Sequence, residues 1–121
     1  MAVIGVLIAS SATLVVRTVE QAYVDYAGSG MHAVWNAQRL YWIEHRTYAA
    51  NIASLQSEGV LVESLNSRRY QFTIASASDD QFTVEAARVN SERWGGTLLM
   101  DETGVVTGIV SDGDHDLEPT L

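Results

Sequence analysis

The chain has 121 residues, 47% of them hydrophobic, with a formal net charge of −8 and no cysteine. That length suits one domain with at most one protruding element. The negative balance disfavours non-specific nucleic-acid binding, because phosphates are repelled rather than neutralised, and without cysteine neither a disulfide framework nor a thiolate metal site can form.

The chain opens on an uncharged stretch, Met1 to Val16, before Arg17 arrives. A bilayer-spanning helix needs about 20 apolar residues, so this stretch alone is short for that task. It also lacks the basic start and small-residue cleavage site of a signal peptide. The expectation is that it belongs to a longer apolar segment continuing upstream. Val3, Ile4, Val6, Leu7, Ile8, Leu14, Val15 and Val16 are its candidate contacts with lipid or with other apolar helices.

No proline interrupts Ala2 to Tyr48, and good helix formers dominate after Val19, which predicts one long helix across that range. Its second half is amphipathic. Tyr23, Ala27, Met31, Val34, Ala37, Tyr41 and Tyr48 recur at spacings of three, four or seven, whereas Arg17, Glu20, Asp25, Gln38 and Arg39 fall largely off that stripe. Gly28 and Gly30 each cost about 1 kcal/mol relative to alanine in a helix interior, so a bend near Ala27 to Gly30 is expected, with a break into two helices as the alternative.

A loop then carries a short helical turn near Ile52 to Glu58, ended by Gly59. After it the period changes to two. Tyr70, Phe72, Ile74 and Ser76 share one face; past Ser78-Asp79-Asp80 a second run places Phe82, Val84 and Ala86 on one face. Gly96 to Met100 and Val105 to Val110 flank Asp101-Glu102-Thr103-Gly104 as a second hairpin. The fold class expected is α+β: a long N-terminal helix packed on a four-stranded antiparallel sheet, with strands near Tyr70 to Ala77, Gln81 to Val89, Gly96 to Met100 and Val105 to Val110. Residues 1–27 form the apolar half of the helix and residues 28–121 the globular part. Val34, Ala37, Tyr41, Phe72, Ile74, Phe82, Val84, Leu99 and Val106 are the expected core.

Catalytic signatures are sparse. His32, His45 and His115 do not fall at zinc-hydrolase spacing, and there is no nucleophile elbow or phosphate-binding glycine loop. Asp79-Asp80 and Asp101-Glu102 sit in predicted turns, where exposed carboxylates are ordinary. An enzyme is therefore not expected. Asp112, Asp114, Asp116 and Glu118 alternate along the C-terminal tail, a spacing that can turn several oxygens toward a hard cation such as Ca²⁺; the competing reading is a solvated acidic terminus. The aromatic series Tyr23, Tyr26, Trp35, Tyr41, Trp42 and Tyr48 reads as core and subunit-contact residues rather than as an electron path.

The order of these segments resembles the type IV pilin family over essentially the whole chain. Met1 to Ala9 (MAVIGVLIA) looks like the middle of the pilin N-terminal segment. Ala37 to Ala50 (AQRLYWIEHRTYAA) is similar to the aromatic, polar stretch in which the pilin helix ends, and Leu55 to Leu61 (LQSEGVL) to the loop that follows. The family's basic leader, its first mature residues and its glutamate near the mature N-terminus are absent from this sequence, which therefore reads as N-terminally truncated relative to the family pattern. A proline common in the family's helix is absent between Ser10 and Val15. The resemblance implies a structural subunit that polymerises with identical subunits through the apolar helix. Such a subunit waits in the inner membrane, is handled by inner-membrane assembly machinery and ends in an extracellular pilus. The alternatives are a type II secretion pseudopilin in a periplasmic pseudopilus, some of which hold calcium in a C-terminal loop, and a membrane-tethered binding domain.

Overall fold

The computed structural model describes residues 2–61 and 65–120, and their side chains from Val16 onward. One helix, α1 (Ala2–His45), runs for 44 residues. Its apolar stripe faces a sheet, burying Val24, Ala27, Met31, Val34 and Ala37 almost completely. The helix continues through Gly28 and Gly30 as one element. Gly30 is required by packing: a Cβ there would lie 2.9 Å from the Phe72 ring. α1 stops short of the expected Tyr48 because Arg46 turns left-handed (φ 58°) while its N–H closes on the Trp42 carbonyl at 2.7 Å.

The short helix α2 (Ile52–Ser57) follows as expected. Asn51 caps its start by accepting the Ser54 N–H at 2.8 Å, and Gly59 takes a positive φ of 73° just past its end. Leu55 is buried against the core.

The sheet is an antiparallel meander of β1 (Tyr70–Ala77), β2 (Phe82–Arg88), β3 (Gly95–Asp101), β4 (Val106–Ser111) and β5 (Asp116–Leu117), in that spatial order. It has five strands rather than four. The last is only two residues long, pairing Leu117 with Val110 and Asp116 with Ser111, so it leaves little periodic trace in a polar tail.

Four face assignments need correction. Ser76 does not share the inner face of Ile74, because a bulge between them inserts Ala75 and brings Ala77 to the core instead. Leu99 points outward, opposite Glu85; Leu98 and Met100 are the buried pair, since they lie across from the core-facing Ala86 and Val84. Glu20 and Gln38, placed off the apolar stripe by sequence, are both buried, each because a partner awaits it. Of the remaining expected core, Val34, Ala37, Phe72, Phe82 and Val84 are buried, while Tyr41, Ile74 and Val106 are half-buried against it.

Candidate assembly surface

The sheet grips α1 at polar points as well as through its core. The Trp35 indole N–H donates to the Glu102 carbonyl at 3.0 Å, and one helical turn earlier His32 Nε2 donates to the Gly104 carbonyl at 3.2 Å. Both acceptors lie in the β3–β4 turn. One heptad on, the Trp42 indole N–H donates to the Asp79 carbonyl of the β1–β2 turn at 2.7 Å. The guanidiniums of Arg39 and Arg46 cover the same two indoles at 4.7 and 4.8 Å. Gln38, wholly buried, accepts the Ala49 N–H and donates to the Ala49 carbonyl, tying the helix to the chain that leaves it.

At the other end of this grip Arg88 forms a fork on Glu20, Nε to Oε1 at 2.7 Å and Nη2 to Oε2 at 3.4 Å. Tyr70 packs beside the pair, with its ring 5.8 Å from the Arg88 guanidinium. Burial pushes the Tyr70 phenol well above its ordinary range, Glu20 adds to that, and Arg88 opposes it. The hydroxyl has no hydrogen-bond partner among the described residues.

Apolar side chains of α1 remain open around its contact with the sheet: Val16, Val19, Tyr26, Leu40 and Ile43 are all exposed, Tyr26 to 73%. Val19, Tyr26 and Leu40 stand at multiples of seven and so line one side of the helix. Of the sequence-predicted contacts, Val16 is exposed; Val3, Ile4, Val6, Leu7, Ile8, Leu14 and Val15 lie outside the described side chains. Among the described residues no helix is long and apolar enough to cross a membrane.

The acidic tail is structured, and its four candidate calcium ligands are not gathered. Asp112 is committed to its own turn: Oδ1 accepts the N–H groups of Asp114 and His115 at 3.0 and 2.7 Å, and Oδ2 meets Arg93 and the His115 ring at 3.3 Å each. Asp114, Asp116 and Glu118 are exposed. The tail instead docks on α1. Leu117 is buried, the Glu118 carbonyl accepts the Gln21 amide at 2.8 Å, and the Thr120 N–H donates to Asp25 at 2.9 Å. Among the described residues one group does bring three metal-capable donor atoms within 4.8 Å of one another, the exposed Glu44, His45 and Glu58, where α1 and α2 end side by side.

Sequence reasoning missed the Glu20–Arg88 pair, whose members are 68 positions apart, and the polar role of the tryptophans. The second had a readable signal. Trp35 and Trp42 are one heptad apart on a helix, and an indole that is half-buried needs an acceptor for its N–H. No family model matches the chain, and no curated protein shows significant similarity to it.

Proposed function

We propose that the chain is a structural subunit of a helical filament of the type IV pilin kind, held in the inner membrane before assembly and polymerising with identical subunits through the N-terminal half of α1. The observation that carries this reading is the continuity of α1. A single helix passes from the uncharged stretch into the sheet's packing face, with no linker between, and is gripped from Glu20 to Trp42. A flexible tether would suit an anchored binding domain; a rigid strut suits a polymer in which every subunit must hold the same orientation.

The physics of assembly follows. Apolar helices can leave lipid without loss if they cover an equivalent surface on one another. Staggered side-by-side packing is a heterologous contact that does not close, which is the symmetry that generates filaments. The globular sheets then form the outer skin, in a pilus or in a secretion pseudopilus.

The test compares two variants at matched subunit level. Ile8→Asp places a charge in the middle of the uncharged stretch, where burial of an unpaired carboxylate is costly both in lipid and between dry helices. Asp79→Lys changes an exposed side chain of the β1–β2 turn. The yield of filaments sheared from expressing cells should vanish for Ile8→Asp and stay unchanged for Asp79→Lys. Normal filaments from Ile8→Asp cells would remove the packing role of the helix and leave the tethered-domain reading in its place.

A further inference from the structure

All seven basic side chains are arginine, against fifteen acids. Three of the seven, Arg68, Arg69 and Arg88, line one open cavity of about 500 Å³, and among the described residues its only other lining residue is Asn90. Two of these cations are held in place from behind. Arg88 is fixed by Glu20, and the Arg69 guanidinium lies 3.8 Å over the Tyr23 ring, a contact that occupies its face and leaves its N–H edge available. The loop beyond β2 is pinned above them: the Val89 N–H donates to the Arg69 carbonyl at 2.8 Å, and Asn90, with φ 58°, donates to the Arg68 carbonyl at 2.9 Å. The Arg68 side chain is exposed and has no hydrogen bond or ion pair among the described residues. Arg88 is neutralised by Glu20 and its Nη1 donates to the Val89 carbonyl, so the positive charge open to an entering anion is that of Arg68 and Arg69, neighbours in sequence whose mutual repulsion an anion relieves. The N–H edge of the Arg69 guanidinium, held over Tyr23, and the exposed Arg68 beside it suit the oxygens of a phosphate group.

Position identifies where that phosphate comes from. Glu20 and Tyr23, the two residues that hold Arg88 and Arg69, follow the uncharged stretch ending at Val16 by about 6 to 10 Å along the helix axis. Next to the arginine cavity is a second one of about 340 Å³, lined by Ala22, Tyr23, Tyr26, Ser67, Arg69 and Tyr70. Arginine and tyrosine at the exit of an apolar helix are the residues that settle at the headgroup level of a bilayer. We infer that the Arg68–Arg69–Arg88–Asn90 cavity binds the phosphate of an anionic phospholipid headgroup while the subunit stands in the membrane. This rests on the reading of the uncharged stretch as membrane-inserted before assembly.

Flotation of the full chain with vesicles separates the two ideas. Partition into pure phosphatidylcholine reports insertion of the apolar helix; the gain on adding phosphatidylglycerol reports the cavity. The wild type should partition into both, with a gain from phosphatidylglycerol. Arg68→Gln with Arg69→Gln should lose that gain by about thirtyfold and keep its partition into phosphatidylcholine. Arg68→Gln alone, at an exposed side chain with no hydrogen bond or ion pair among the described residues, should lose about fivefold. Arg39→Gln with Arg46→Gln makes the same change of charge away from the cavity and should keep the gain. The inference is overturned if the Arg68/Arg69 variant keeps the gain, or if the Arg39/Arg46 variant loses as much. It is also overturned if soluble glycerol phosphate, at equal phosphate concentration, displaces the protein's preference, which would make the ligand a free anion. A wild type that fails to enter pure phosphatidylcholine overturns the membrane reading itself.

Discussion

Glu20 and Arg88 meet across 68 positions of sequence, one from the helix and one from the end of β2, with side chains only 6% and 8% exposed. Removing one partner leaves the other charge buried and unpaired, so Glu20→Ala should destabilise the fold by about 3–5 kcal/mol. Replacing both, as Glu20→Leu with Arg88→Met, should recover most of that loss, because well-packed apolar side chains avoid the desolvation of the pair. Urea midpoints for the two variants at unchanged slope decide the matter. A Glu20→Ala midpoint equal to wild type would mean that the pair is open to water in solution.

Gly30→Ala sets two effects against each other. The helix gains about 1 kcal/mol from the better helix former, whereas crowding the buried Phe72 ring costs about 1–3 kcal/mol. The added methyl would fall 2.9 Å from that ring, so crowding should win and the variant should melt lower than wild type. Combining it with Phe72→Leu should reverse the sign of the Gly30→Ala change, measured as the melting-temperature difference between the double variant and Phe72→Leu alone. Equal effects with and without Phe72→Leu would place the strain elsewhere.

Acid sensitivity should trace partly to Asp112. Burial by itself pushes its carboxyl up, but the N–H groups of His115 and Asp114, the His115 ring and Arg93 outweigh that and hold it well below the usual range. Asp101 is shifted in the same direction, first by the Thr103 hydroxyl and then by the Thr103 N–H. A carboxyl lowered in the fold contributes stability above its unfolded value of about 3.9 and loses it as pH falls through that value toward the folded one. Asp112→Asn keeps an acceptor for the turn but cannot titrate, so its melting temperature should fall less steeply than that of wild type between about pH 5 and pH 2. Parallel curves would show that this carboxyl is not linked to folding.

Elements with a strong period were legible in the sequence, and features set by partner choice were not. The α1 stripe through Ala27, Met31, Val34 and Ala37, the Phe82-Val84-Ala86 face and the Gly59 stop all rest on local spacing or on a single residue's backbone freedom. In the run Thr97 to Met100 apolar residues are consecutive, so alternation alone does not choose a face; the register against Val84 and Ala86 does, and that is a long-range fact. The bulge at Ala75 is invisible for the same reason. Glu20 and Gln38 read as solvent-facing because polarity is local, while their burial depends on Arg88 and on the Ala49 peptide. The tail's carboxylates suggested a cation, and Asp112 instead found N–H donors within its own turn and Arg93 beside it.

The docked tail gives the domain a mechanical property. Glu118 and Thr120 reach Gln21 and Asp25 on the same stretch of α1 where Glu20 holds Arg88, and the indoles hold the hairpin turns farther along. A pull along the helix axis is therefore shared by fastenings spread from Glu20 to Trp42, drawn from three hairpin ends and the chain terminus together. They must slip as a group, in shear, where a sheet joined at one strand would peel open bond by bond.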